Sequence, residues 1–241
     1  MTIDNIKIGV IIPTRGERQV FLKNCMRMLK AQTLQPAGIL TVGENYMQAI
    51  DDVKDITKRY RFGYDLTCQQ FKYDLIAFIE DDDFYHPLYL ENMATEWLRS
   101  GKPDILGTGS TIYYHLKLKK YFTFNHPKRA SAMNTFIKPG LNIKWCEDSY
   151  AFTDMHLWNM SDIAQLAIPE TTRIPKNLWL RGHIFQPEKI ISIGMKHGIG
   201  LCGGRNHIDR LQRYDKDDSD MQFLCDNCDE ESFEFYSMLF K

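Results

Sequence analysis

The sequence predicts a mixed α/β fold with a mostly parallel central sheet flanked by helices. Three observations predict it. Leu75-Ile76-Ala77-Phe78-Ile79 is an unbroken apolar run, the pattern of a strand covered on both faces. Leu22, Cys25, Met26 and Leu29, and later Leu90, Met93, Ala94 and Trp97, fall at i, i+3, i+4 and i+7, each a buried helical stripe. The order strand–helix–strand–helix–strand then implies parallel pairing through right-handed crossovers.

Ile6 to Ile12 is rich in β-formers and ends in the polar turn Pro13-Thr14-Arg15-Gly16-Glu17-Arg18. The first helix follows and is stopped by Gln32-Thr33-Leu34-Gln35-Pro36. Gly38 to Val42 reads as a second strand, ended by Gly43-Glu44-Asn45, and Met47 to Tyr60 as a more polar helix. After the third strand, Pro87 suits the first turn of the next helix, which Gly101-Lys102-Pro103 closes. Asp104 to Thr108 is a further strand, Thr111 to Phe124 a hairpin with alternating character, and Ala132 to Ile137 another strand. Thr153 to Ala167 reads as helix. Gly194 to Gly204 holds five glycines and reads as a loop, either a lid or plain surface. No repeat, low-complexity segment or linker divides the chain. One domain over 1–241 is expected, with parts at 1–100, 101–202 and 203–241.

The net charge of −1 does not announce a nucleic-acid or membrane protein. Its distribution is uneven. Asp104 and Glu147 bracket a stretch without acids that carries Lys117, Lys119, Lys120, Lys128, Arg129, Lys138 and Lys144. From Asp215 to Glu234 there are nine acids and one lysine, so a basic and an acidic region are expected. No signal peptide or membrane span is evident, which with six scattered cysteines points to a reducing cytoplasm and free thiols. Cys225-Asp226-Asn227-Cys228 is a CxxC without a clear second pair and reads as ordinary cysteines rather than zinc ligands.

The apolar run at 75–79 leads straight into Glu80-Asp81-Asp82-Asp83. Unpaired carboxylates are costly inside a core, so these acids are expected at the strand's carboxyl end, at the sheet's edge, where open α/β sheets bind ligands. Hard oxygen ligands there suit Mn²⁺ or Mg²⁺, which in turn hold nucleotide phosphates. The plain alternative is a solvated acidic turn capping the next helix. Arg15, at the end of the first strand, is available to diphosphate oxygens or to a surface ion pair with Glu17.

These residues carry a resemblance. Val10-Ile11-Ile12-Pro13-Thr14-Arg15, the segment Gln32-Thr33-Leu34-Gln35-Pro36, and Ile79-Glu80-Asp81-Asp82-Asp83 followed by Pro87-Leu88-Tyr89-Leu90 resemble the nucleotide-binding half of GT-A-type, family 2 glycosyltransferases. The likeness covers about residues 6 to 100. It implies a Rossmann-like GT-A fold and inverting transfer of a hexosyl or pentosyl group from a nucleotide sugar, a UDP-sugar in particular, by direct displacement. It implies Mn²⁺ or Mg²⁺ on Asp81, Asp82 and Asp83, completed by a late histidine. His197 and His207 are the candidates, and His207 is carried forward. Donor contacts fall to Pro13, Thr14, Arg15 and Asp81, with Glu44 where the family often has an acid against the base. Thr153-Asp154-Met155-His156-Leu157-Trp158 resembles the segment that supplies the catalytic base. Thr153 stands where the family has Glu, and Glu147-Asp148 is the competing match, so the base is Asp154 or Asp148.

The expected acceptor is a carbohydrate hydroxyl. DNA is the alternative, because bases interleave with Tyr113, Tyr114, Tyr121, Phe122 and Phe124, and phosphate contacts with aromatic stacking hold nucleic acid. Phage enzymes that glycosylate hydroxymethylated pyrimidines would fit, acting in the host cytoplasm. A solvated hairpin with core aromatics explains the same pattern. From another class, the chain could be a silent nucleotide-sugar- or nucleic-acid-binding module that has lost its base.

Overall fold

β1 (Ile8–Pro13) is buried along its whole length. It pairs in parallel with β2 (Gly38–Val42) on one side and β3 (Leu75–Phe78) on the other. The computed structural model describes residues 2–49, 55–125, 130–141, 143, 182–198 and 213–239. Within these, the first sheet runs β2-β1-β3-β8-β5-β9, with β5 at Ile105–Thr108, β8 at Thr135–Ile137 and β9 at Gly182–Phe185. Only β8 is antiparallel, so the mixed, mostly parallel sheet is as the sequence implied.

Strand alternation divides the core into two layers. Val10, Ile12 and Ala77 join Cys25, Met28 and Leu29 of α1 (Gln19–Lys30) and Leu90, Met93 and Trp97 of α3 (Tyr89–Arg99). Ile11, Ile76 and Phe78 join Tyr60 and Tyr64 of α2 (Asp55–Gln70). The sheet therefore has no wet face here, which is why its strands read as apolar runs.

α2 corrects one expectation. The sequence suggested a helix over Met47 to Tyr60, but the helix spans Asp55–Gln70 and residues 47–49 lie outside it. Its buried face is Arg59, Tyr60, Gly63, Tyr64 and Thr67, helical in spacing but not apolar, so no hydrophobic stripe marks it. Gly63 sets the approach of α2 to the sheet: a Cβ there would lie 2.6 Å from Cγ2 of Ile11 and 3.0 Å from Cγ2 of Val42. Gly63→Ala should therefore cost about 1–3 kcal/mol through overpacking, although alanine favours a helix by about 1 kcal/mol over glycine. A urea melt showing a stabilised variant would refute this close packing.

A second sheet runs β11-β7-β6-β10-β4. β6 (Ser110–His115) and β7 (Lys120–Asn125) form the expected hairpin. β4 (Phe84–Tyr85) pairs with β10 (Ser192–Lys196), and β11 (Lys216–Asp217) pairs with β7. The second sheet went unread in the sequence. Gly194, Met195 and Lys196 were expected to open a glycine-rich loop, yet they lie in β10, buried throughout. Gly194 stands there because a Cβ would come within 2.6 Å of the Tyr113 ring. Residues 199–204 of that segment, and the helix expected over Thr153 to Ala167, lie outside the described residues. The Ala132 to Ile137 strand shortens to β8, preceded by a 3-10 turn at Ala132–Asn134.

The basic and acidic regions are partners. β11 of the acidic segment lies antiparallel to β7, and Lys120 reaches Asp217 at 3.9 Å. Lys119 Nζ donates to the Ser219 carbonyl at 3.2 Å, and Tyr114 Oη to Asp218 Oδ2 at 2.8 Å. Two helices end the described chain, α4 (Gln222–Asn227) and α5 (Glu230–Met238). Asp229 caps α5 by accepting from Ser232 N–H, and Arg27 of α1 bonds Asp229 at 3.0 Å.

Candidate functional site

The carboxyl ends of β1, β2 and β3 converge. Thr14 N–H donates to the Val42 carbonyl at 3.1 Å, and Ile79 N–H to the Ile11 carbonyl at 3.1 Å. A cleft opens there, lined by Pro13, Thr14, Arg15 and Arg18 from the β1 turn, Asp55, Ile56 and Arg59 from α2, and Glu80, Asp81 and Asp82 beyond β3. This is the crest at which parallel sheets hold ligands.

The acids stand at the strand end as expected, but they are not a solvated edge. Asp81 is 2% exposed, Asp82 7% and Asp83 0%. β4, β10, α1 and α5 close around them, and each carboxylate is met by a partner. Thr14 Oγ1 donates to Asp81 Oδ2 at 2.6 Å. Arg18 Nη2 bridges Asp81 Oδ1 and Asp82 Oδ2, the latter at 2.7 Å. His197 Nε2 donates to Asp82 Oδ2 at 2.7 Å, and Met195 N–H to Asp83 Oδ1 at 2.7 Å. Phe21 of α1 stacks on the His197 ring with centroids 4.3 Å apart. Tyr236 of α5 donates its hydroxyl to the Asp82 carbonyl at 3.2 Å, so the C-terminal helix braces the cluster.

Burial and charge divide the acids. Burial pushes the Asp81 carboxyl up to about 7, against the pull of Arg18. Burial also works against a charged Asp82, but Arg18 and the His197 bond outweigh it and hold the carboxyl below its usual range. Arg18 is shared, and Asp82, with His197 as second donor, keeps the charge. Burial pushes Asp83 well up. Lys196 of β10 is buried over the face of Tyr113, its Nζ 5.2 Å from the ring centroid. Burial disfavours its ammonium, but Asp83, Glu80 and Asp82 keep it charged well above the usual lysine range.

Glu80, Asp82 and Asp83 present one ligand atom each within 4.8 Å of one another. Asp82 Oδ1 and Asp83 Oδ2 are buried and have no hydrogen-bond partner among the described residues. Buried carboxylate oxygens without donors suit a hard divalent cation. Asp81, named as a ligand from the sequence, is bonded to Thr14 and Arg18, while Glu80 joins Asp82 and Asp83 in this group.

The other candidates fall as follows. Pro13, Thr14 and Arg15 line the cleft. Arg15 Nε bonds Asp55 Oδ2 at 3.1 Å, and its Nη1 lies 3.8 Å from Glu17. Glu44 is exposed and accepts from Gly16 N–H at 3.1 Å, holding the turn that carries Arg15 and Arg18. Asp148, Asp154 and His207 lie outside the described residues, as do Cys202 and Cys146. Sequence reasoning missed Arg18, Arg59 and Lys196 and ranked His197 behind His207. Arg18 had one signal, its place three residues after Arg15 in the same turn.

The hairpin's aromatics are largely committed inward. Tyr114 and Phe122 are buried, and the Tyr121 ring stacks on Phe223 with centroids 3.8 Å apart. Among the described residues no helix is long and apolar enough to cross a membrane.

No protein-family model and no curated protein sequence matches the chain. Among solved structures, the chain is similar to A197 from STIV, with a TM-score of 0.42 and 15% identity over 62% of this chain and 75% of that one. It is also similar to S. aureus TarS 1-349 in complex with UDP-GlcNAc, with a TM-score of 0.41 and 11% identity over 79% of this chain. The chain spans 59% of the length of that TarS chain.

Proposed function

We propose that the protein is an inverting, divalent-cation-dependent glycosyltransferase that moves a hexosyl or pentosyl group from a nucleotide sugar, a UDP-sugar in particular, to an acceptor hydroxyl. The observation that carries this reading is the meeting of a cleft lined by Arg15, Arg18 and Arg59 with a carboxylate triad, Glu80, Asp82 and Asp83, at the carboxyl ends of parallel strands. Guanidinium groups recognise diphosphate oxygens by paired N–H donors. Thr14 and Pro13 stand beside them for the nucleoside, and Glu44 supports the turn from behind.

The triad would hold Mn²⁺ or Mg²⁺, which supplies charge neutralisation for the departing diphosphate. The chain's own residues do the rest. Arg15 and Arg59, fixed by Asp55, keep positive charge over the donor site. Asp154 or Asp148 takes the acceptor proton, a role any carboxylate within hydrogen-bond reach can fill. We take a carbohydrate hydroxyl as the acceptor, because the basic hairpin that suggested DNA is engaged with the acidic segment.

Calorimetry with UDP in Mn²⁺ and in EDTA, followed by incubation with a panel of nucleotide sugars, tests the reading. UDP should bind in Mn²⁺ and not in EDTA, and one nucleotide sugar should be slowly hydrolysed. Binding without hydrolysis of any donor would identify a silent binding module. Affinity indifferent to EDTA would refute the metal-dependent reading.

A further inference from the structure

Four acids meet at the cluster, and three cationic or proton-bearing side chains have been drawn to them from distant parts of the chain. Of these, Lys196 and His197 belong to β10 and the residue after it, in the buried interior. Arg18 differs. It sits on the 3-10 turn Gly16–Arg18 ahead of α1, its side chain is 18% exposed, and it lines the cleft itself. One nitrogen, Nη2, contacts both Asp81 and Asp82, while its buried Nε has no hydrogen-bond partner among the described residues. A guanidinium at rest in a built pocket would use its fork on two oxygens in parallel. Here it reaches in end-on and leaves a donor unmatched.

The cleft also measures only about 50 Å³, room for a few waters and far below the several hundred Å³ of a small-molecule site. The two oxygens without a hydrogen-bond partner among the described residues, Asp82 Oδ1 and Asp83 Oδ2, belong to two acids of the triad. Asp82 is common to both arrangements: its Oδ2 is held by Arg18, and its Oδ1 has no donor among the described residues. A cation on the triad and a guanidinium on Asp81–Asp82 would stand a few ångströms apart and repel.

We infer that Arg18 is the resident counter-cation of the acid cluster, and that it leaves its place between Asp81 and Asp82 when a divalent cation binds, swinging to the donor diphosphate. This rests on the metal-binding part of the reading above and extends it. Arg18 thereby keeps three buried acids, Asp81, Asp82 and Asp83, compatible with folding when no metal is bound. It then supplies a positive charge to the diphosphate once the metal has taken over that task. Its short turn, held by Glu44 through Gly16 N–H, is the element that must adjust.

Mn²⁺ titration followed by electron paramagnetic resonance, without nucleotide, tests the competition on wild type, Arg18→Gln, Arg18→Lys and Asp83→Asn. Removing a cation a few ångströms from the ion should tighten Mn²⁺ binding by about tenfold or more in Arg18→Gln. Arg18→Lys keeps the charge on a shorter side chain that brings its ammonium less close to Asp81 and Asp82, and should fall between it and wild type. Equal or weaker Mn²⁺ binding by Arg18→Gln, with Asp83→Asn still abolishing it, would overturn the inference and leave the metal site standing. Mn²⁺ binding by none of the four proteins would overturn both. Where circular dichroism shows Arg18→Gln unfolded, Arg18→Lys decides: affinity equal to wild type sinks the competition.

Discussion

Arg59→Ala is expected to lower stability by about 3–5 kcal/mol, which for a chain of this size is a fall in melting temperature of about 6–20 °C. Arg59 is 1% exposed. Its Nε bonds Asp55 Oδ2 at 2.8 Å, and Nη1 and Nη2 donate to the carbonyls of Val42 and Met47, each at 3.2 Å. The truncation therefore removes a cation from beside the buried Asp55 carboxylate and takes one donor each from the carbonyls of Val42 and Met47, the first of which still accepts from Thr14 N–H. Breaking a buried pair from one side is far costlier than replacing both partners. The double variant Asp55→Ala with Arg59→Met should recover most of the loss. A thermal melt in which Arg59→Ala loses under about 1 kcal/mol would mean that water reaches Asp55 and that α2 does not depend on this pair.

That pair also explains what the sequence could and could not reveal. α1 and α3 were readable because their buried faces are Leu, Met, Cys and Trp at helical spacing. β1 and β3 were readable because burial on both faces leaves them apolar. α2 buries Arg59, Tyr60, Gly63 and Thr67, residue types that a hydrophobicity pattern scores as surface. The acid run stood out in the sequence as a candidate site, since four carboxylates follow an apolar strand directly. Its burial did not, because the groups that permit it lie far away in sequence: Arg18 before α1, Lys196 at the end of β10 and His197 after it, Tyr236 in α5. Local pattern carries no information about such convergence. The basic stretch and the acidic tail were each visible, but their pairing through β7 and β11 is a strand register, which charge counts do not encode. Gly194 misled for a related reason: a glycine that makes room for the Tyr113 ring in a buried strand looks, by itself, like a loop.

Asp83→Asn should separate function from folding most sharply. The carboxylate is fully buried, its Oδ1 accepts from Met195 N–H, and its Oδ2 has no donor among the described residues. Asparagine keeps the shape and the bond to β10, while removing a group whose charged form is disfavoured by burial and by Glu80 and Asp82. Lys196 retains those two acids as counter-charges. The unliganded variant should thus be no less stable than wild type, and more stable by up to about 2 kcal/mol, as when a functional site gives up stored strain. The same change removes one of three ligands from the triad. Replacing groups that merely orient metal ligands costs 10–100-fold in affinity, so losing a ligand should weaken Mn²⁺-dependent UDP binding by at least ~10²-fold. Urea melts and calorimetry on one preparation read both effects. Lower stability with undiminished binding would make Asp83 an anchor for β10 rather than a ligand, because only the bond to Met195 would then account for its burial.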